Sequence, residues 1–389
     1  MANDSGRSAA DLSRRTLIGL STATGLAWGS GLRGEAAAAR AASPQPVRMD
    51  VDGLGLAPTE FAALLQRLSA AIVPDEYSLG GEVAQLEAFF AQALGKERAV
   101  FLPSGTLANQ LAVRKLSRGK PRVIVQEQSH LYNDSGDCAQ RLSALNLVPL
   151  ATGRATFTRL DVERELARTA SGRVATGVGV ISIELPVRRL HGAMFDLAEM
   201  RAISALAREK GIGLHLDGAR LFVASAYTGV PPADYAALFD TAYVSLWKSF
   251  SSGSGAILAG PSALLDDMFE ERRMFGGALY SAWPFAAVAR HHAPGLIERL
   301  RAGIAASDAL VAALAASDAF AVERVPNGTS KMKLSVRGIA AADYRGRLGS
   351  RGIELPEPGV DGAFWLTVNE TWARMSPSEL AGAFRAALG

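Results

Sequence analysis

Short apolar runs at residues 123–125, 179–183, 213–216, 242–246 and 256–259 punctuate the middle of this chain. Each is too short for an ordinary helix and is continuous rather than alternating, as expected of strands buried on both faces. Between two of them, residues 197–210 place Leu197, Met200, Ile203 and Leu206 on one helical face. Parallel neighbours need a crossover connection, and strands alternating with helices therefore imply an α/β fold with a mostly parallel sheet flanked by helices. In such sheets ligands bind beyond the carboxyl ends of the strands. The polar residues that end these runs are the first candidates for chemistry.

Asp217 ends the run 213–216 in His215-Leu216-Asp217-Gly218-Ala219-Arg220. Lys248 follows the run 242–246 in Ser245-Leu246-Trp247-Lys248-Ser249. An amine and a carboxylate at neighbouring strand ends are the layout that grips a pyridine aldehyde. The amine forms a Schiff base and the anion keeps the ring nitrogen protonated. Taken singly, Lys248 could snorkel to solvent and Asp217 could cap the helix near Ala219. A lysine at a buried strand end costs free energy unless it has a task, and the pair supplies one. Arg220 could fork onto a substrate carboxylate or form a surface ion pair.

Other groups fall at the same edge. Ser104-Gly105-Thr106 follows the run 99–102 and opens a helix at 107–116. Free N–H groups at such a turn make a phosphate cup, although Ser and Thr caps are common without one. His130 follows the run 123–125 and could stack on a ring and move protons. Glu184 ends the run 179–183 and would face the ring's hydroxyl side, while Ser245 opens the lysine motif and completes the cofactor-binding set. No metal-ligand spacing, P-loop or Gly-x-Ser-x-Gly elbow is present in the sequence.

The flanks differ in character. Residues 43–57 read as an extended lead-in and 58–71 as a helix. Residues 82–94 form a helix with Val83, Leu86, Phe90 and Leu94 inward, closed by Gly95-Lys96. Helices at 295–316 and 376–388 with strands at 332–336 and 364–368 indicate a small α+β domain. The expected organisation is a large domain at 43–292 and a small one at 293–389.

Residues 1–42 read as an address. Ser13-Arg14-Arg15-Thr16-Leu17-Ile18 precedes an uncharged stretch to Leu32 and small residues at Ala36 to Ala42, the parts of a twin-arginine export signal in order. The stretch is too weakly apolar for a membrane anchor. Five of the arginines lie in this segment against three acids, leaving a net charge of only +1 of the total +3 for the rest. That gives a basic nucleic-acid surface no support. The lone Cys138 tolerates an oxidising destination.

Together these residues resemble the threonine aldolase/β-eliminating lyase family of fold-type I pyridoxal-phosphate enzymes. The resemblance rests on Phe101-Leu102-Pro103-Ser104-Gly105-Thr106-Leu107-Ala108-Asn109-Gln110, on Leu214-His215-Leu216-Asp217-Gly218-Ala219-Arg220-Leu221-Phe222, and on Lys248 with its Ser/Gly tail. It implies pyridoxal phosphate as cofactor, a Schiff-base lysine at Lys248, a pyridine-nitrogen partner at Asp217, ring stacking by His130 and phosphate contacts from Gly105 and Thr106. It also implies a homodimer or homotetramer with active sites shared between subunits. The expected activity is cleavage of a β-hydroxy amino acid to glycine and an aldehyde. The alternatives are β-elimination or another Cα-bond reaction on a different amino acid, or cofactor binding without catalysis.

The chain departs from the family pattern in four places. No Arg-Ser-Asp-Thr stretch is evident near Met49-Asp50-Val51-Asp52. Glu184-Leu185-Pro186-Val187 replaces Glu-Asn-x-His, so Val187 cannot help deprotonate a substrate hydroxyl. Tyr280 stands where an arginine follows the glycine-rich turn. No arginine occurs in Phe364-Trp365-Leu366-Thr367.

Overall fold

The structure is a computed structural model that describes residues 45–389. The twin-arginine segment, and with it the export reading, lies outside the described residues. The main sheet has seven strands, in the order Arg98–Leu102, Ala256–Gly260, Thr241–Ser245, Gly213–Asp217, Val178–Glu184, Arg122–Gln126 and Asn146–Leu150. Only Ala256–Gly260 runs against its neighbours. The pairs from Thr241–Ser245 outward to Asn146–Leu150 are all parallel. This is the α/β architecture expected from the alternation of apolar runs and helices. Val178–Glu184, Thr241–Ser245 and Ala256–Gly260 are buried along their whole length, which is why their sequences are continuous rather than alternating.

Alternate residues of each strand feed cores on opposite faces. Phe101, Ile183, Leu216 and Val244 join one large cluster. Val100, Leu102 and Tyr243 join another, with Leu107, Ala108 and Leu111 of the helix Gly105–Ser117. Asp217 and His215, at odd positions beside Leu214 and Leu216, therefore face that helix. The helix begins earlier than the apolar pattern suggests, because Ser104 Oγ accepts the Leu107 N–H at 3.3 Å and caps it. Leu197–Lys210 is closed by the same logic, with Asp196 capping its start and Gly211 (φ 61°) ending it.

The C-terminal region has its own core. Leu296–Leu314 and Pro377–Ala386 pack with a three-stranded antiparallel sheet, Phe364–Thr367, Lys331–Val336 and Phe320–Arg324. Two elements here and in the main sheet carry weak sequence signals. Asn146–Leu150 is a half-exposed edge strand containing Pro149, and Phe320–Arg324 ends in charged, exposed residues. The lead-in joins this second core. Val47 and Met49 are fully buried in it, Val47 pairs in parallel with Ile353, and Asn369 Nδ2 donates to the carbonyls of Arg48 and Val51 at 2.7 Å each. A segment that precedes the main sheet in sequence thus threads the C-terminal core before reaching the sheet edge.

Phe90 anchors the helix Gly81–Ala93 to the sheet-side core. Its ring meets Phe250 edge to face at 5.1 Å and Phe222 at 6.0 Å. Phe90→Ala should lower the unfolding free energy by about 3–5 kcal/mol, measured by denaturant titration, through lost burial and a residual cavity.

Candidate active site

Sheet register sets three polar side chains abreast. Glu184 is the parallel partner of Asp217, and Asp217 is the partner of Tyr243 on the next strand. All three are buried. Asp217 Oδ2 accepts the Asn109 side-chain amide at 2.6 Å, and Oδ1 accepts the Ala219 N–H at 3.2 Å. The carboxamide oxygen of Asn109 lies 2.8 Å from His215 Nε2, and His215 Nδ1 lies 2.8 Å from Thr241 Oγ1. Because the Asn109 amide spends its NH₂ on Asp217, its oxygen must accept. His215 therefore donates from Nε2 and accepts the Thr241 hydroxyl proton at Nδ1. Burial pushes His215 down to about 4, so this neutral tautomer holds across physiological pH.

Glu184 is held by backbone donors, the His130 N–H at 2.6 Å and the Arg188 N–H at 2.8 Å. Burial pushes its carboxyl up to about 8, with the neighbouring Asp217 charge as the second cause. Two carboxylates side by side in a buried site do not both ionise cheaply, and Glu184 is the one that keeps its proton.

Lys248 follows Thr241–Ser245 and is almost fully buried. Burial pushes its ammonium down to about 8, with the Arg220 charge adding to the effect and Asp217, Asp52 and Glu184 opposing it. Its Nζ lies 4.2 Å from the centre of the Trp247 ring. The flanking hydroxyls of Ser245 and Ser249 are buried with no hydrogen-bond partner. The lead-in crosses directly over this loop. A Cβ on Gly53 would sit 2.4 Å from the Lys248 carbonyl oxygen, so only glycine fits, and the Leu54 N–H donates to Ser251 Oγ at 2.9 Å.

Arg220 is half-buried and bidentate. Its Nε and Nη2 each lie 2.8 Å from an oxygen of Asp52. Burial alone would raise the Asp52 carboxyl, and the guanidinium more than offsets this, holding it below the usual carboxylate range. The residue is in an ion pair, but inside the site rather than at the surface, with Nε and Nη2 engaged by Asp52 and Nη1 making no protein hydrogen bond among the described residues.

The remaining sequence candidates lie at the same edge. Gly105 abuts Tyr243, whose hydroxyl would come within 1.9 Å of any Cβ there. Ser104 caps that helix, and Thr106 is half-buried on its first turn. His130 starts the short helix His130–Asn133, with Ser135 Oγ 3.2 Å from its Nδ1. Lys248, Asp52, Trp247, Phe61, Lys331 and Thr367 line a cavity of about 330 Å³.

Several of these groups escape a reading of the sequence. Asn109 and His215 sit inside the recognised motifs with no role attached to them. Asp52 and Lys331 belong to segments far from the sheet in sequence and carry no local signal. Among the described residues no group of His, Cys, Asp and Glu could hold a metal ion.

Comparison with known proteins fits this arrangement. The chain is 29% identical over 224 residues to a low-specificity L-threonine aldolase of Saccharomyces cerevisiae, covering 57% of each. It is 33% identical over 221 residues to the aldolase vrtJ of Penicillium aethiopicum, covering 56% of this chain and 55% of that one. The matches thus span little more than half the length of these relatives. A Listeria monocytogenes protein solved as a candidate L-allo-threonine aldolase superposes with a TM-score of 0.72 at 26% identity, over 88% of this chain and 95% of that one. With the beta-eliminating lyase profile matching residues 58–340, across the sheet, Asp217 and Lys248, the chain belongs to the beta-eliminating lyase family.

Proposed function

We propose that this protein is a pyridoxal-phosphate lyase that cleaves a β-hydroxy amino acid to glycine and an aldehyde. The observation that carries the reading is Lys248, a buried amine just beyond the strand Thr241–Ser245, whose neighbour in the sheet ends in the buried Asp217. The residues present fit the cofactor. Ser245 and Ser249 offer unpartnered buried hydroxyls, and the first turn of the helix Gly105–Ser117 offers backbone N–H groups that could hold a phosphate. Relatives named as threonine aldolases support the activity.

When bound, pyridoxal phosphate supplies an electrophilic carbon for amines and a ring that takes up the electron pair of a broken Cα bond. The chain's own groups prepare the rest. Lys248 has a substantial neutral, nucleophilic fraction near pH 8. Asp217, fixed by Asn109 and the Ala219 N–H, presents an acceptor that can hold a proton on a ring nitrogen. Glu184 keeps its own proton beside it. His130 or a water would accept the substrate hydroxyl proton, because Val187 is buried and aprotic. That last position favours a second reading, β-elimination or another Cα-bond reaction on a different amino acid.

The chain would work as a homodimer or homotetramer. Tyr77 and Tyr280, exposed and stacked edge to face at 5.2 Å, support a partnered surface. Arg14-Arg15 and the small-residue stretch after it support export by the twin-arginine route. No helix among the described residues is long and apolar enough to cross a membrane.

Three outcomes test these readings. The purified protein should be yellow and release glycine and an aldehyde from L-threonine or a β-aryl serine, while Lys248→Ala loses both properties. Release of pyruvate or ammonia instead would move the assignment to the second reading. In the cofactor-free protein, Lys248→Met should add roughly 2–3 kcal/mol of stability at pH 7, because it removes a poorly solvated ammonium. Between pH 8 and 10.5 only the unfolded wild-type lysine still binds the proton, so wild type gains stability as pH rises there and the advantage of the variant fades. Parallel chemical denaturation at stepped pH would measure this. Replacing Arg14 and Arg15 by lysine should leave the full-length precursor in the cytoplasm, read by cell fractionation, and unchanged export would remove the twin-arginine assignment.

A further inference from the structure

The two carboxylates on the wall of the cavity in front of Lys248 are each paired with an arginine, and besides Lys248 one cation of the wall is left without a carboxylate. Asp50 pairs with Arg48 at 2.9 Å. Asp52 takes Nε and Nη2 of Arg220 and offsets its charge. Apart from Lys248, the remaining cation of the lining is Lys331. No carboxylate forms an ion pair with it among the described residues, whereas Lys333 on the same strand pairs with Asp361 at 2.7 Å.

Lys331 opens the strand Lys331–Val336, directly across from Thr367. Its Nζ donates to Thr367 Oγ1 at 2.5 Å. An ammonium has three donors, so two remain free. Thr367 spends its oxygen as acceptor and keeps its own proton to give. Burial holds Lys331 below the usual lysine range, with Asp52 opposing and Arg220 adding to that effect. A partly buried ammonium without a counter-ion is costly, which marks the place where an anion would repay it.

We propose that Lys331, with the Thr367 hydroxyl, holds the carboxylate of the substrate, while Asp52 keeps Arg220 occupied. The proposal rests on the amino-acid reading of the site and names the group that recognises the acid end. Asp52 offsets Arg220, and Asp50 shares Arg48 with Glu354, so besides Lys248 the lining cation left to meet an α-carboxylate is Lys331. The cavity, at about 330 Å³, is of the size that holds a small molecule. The arrangement also draws the two ends of the ligand to different parts of the chain, the amine to the loop after the main sheet and the carboxylate to the small sheet.

The test compares two ligands that share an amine and differ in the carboxylate, glycine and glycinamide. Both are titrated into the holoenzyme, with binding read by calorimetry and by the change in the cofactor's absorbance. Wild type should prefer glycine. Lys331→Met should weaken glycine by roughly tenfold or more and leave glycinamide unchanged, as loss of one partner of a desolvated charge pair requires. Lys331→Arg should recover part of the preference, and Lys331→Gln gives a second neutral variant should the methionine perturb folding. A neutral variant that still prefers glycine overturns the role of Lys331, as does equal weakening of both ligands. A wild type that responds to neither ligand overturns the lyase reading, and this assignment with it.

Discussion

Asp217 is a charge placed where a charge is expensive, and much of the site is arranged to make it affordable. It is nearly inaccessible, it stands beside a second carboxylate, and it has no direct ion-pair partner among the described residues. Its stabilisation comes from a directed chain of dipoles. Thr241 gives its proton to His215, His215 to Asn109, and Asn109 to Asp217, over 2.8, 2.8 and 2.6 Å. Each link fixes the donor direction of the next, so the neutral His215 is not a spare acid or base. Glu184 then absorbs the residual conflict by keeping a proton. The polarity of the whole row follows from strand register, since a slip of one residue on Gly213–Asp217 would turn Asp217 into the opposite core.

The second constraint is covalent continuity between the small core and the sheet edge. Val47 and Met49 are buried with Leu334, Phe364 and Trp372. A few residues later Asp52 meets Arg220 and Gly53 presses on the Lys248 carbonyl. The lead-in thus transmits the position of the small core directly to the lysine loop. Asn369 clamps it from the other side through two carbonyls. A residue larger than glycine at position 53 would push the lead-in off the loop and pull Asp52 from the arginine, so one small side chain couples an ion pair to the placement of a nucleophile.

What the sequence made legible follows from the range of each signal. The sheet strands are read from continuous apolar runs, and the acids and the lysine from their places at the ends of those runs. Asp217, Glu184 and Lys248 were legible because burial and position come from the same few residues. Asn109 and His215 were present in the motifs, yet their linkage depends on a helix lying across the sheet, and nothing local encodes that crossing. Asp52 and Arg220 are 168 residues apart, and their pairing is set by where the lead-in exits the second core. Lys331 is invisible for the same reason, since a strand-opening lysine reads as a surface residue until Thr367 and Asp52 are brought beside it. The edge strand Asn146–Leu150 was missed because half-exposed edges do not need the apolar content that marks a buried strand.

Two of the departures from the family pattern also converge in space. Val187 is fully buried and bridges to Ala193, which bridges in turn to Gly328 just before Lys331. On the same loop His191 lies flat on Trp365, with ring centres 3.7 Å apart and planes within 1°. Trp365 is the strand partner of Lys333, two residues from Lys331. Burial, followed by the charge of Lys331, lowers His191, so the ring on the indole is neutral. The loop after Glu184 and the small sheet therefore form one wall, with the aprotic Val187 where the family pattern has an imidazole. Asp217, Glu184 and the strand that leads to Lys248 belong to the main sheet. Lys331, on the strand beside Trp365, is left in this wall with no carboxylate partner among the described residues.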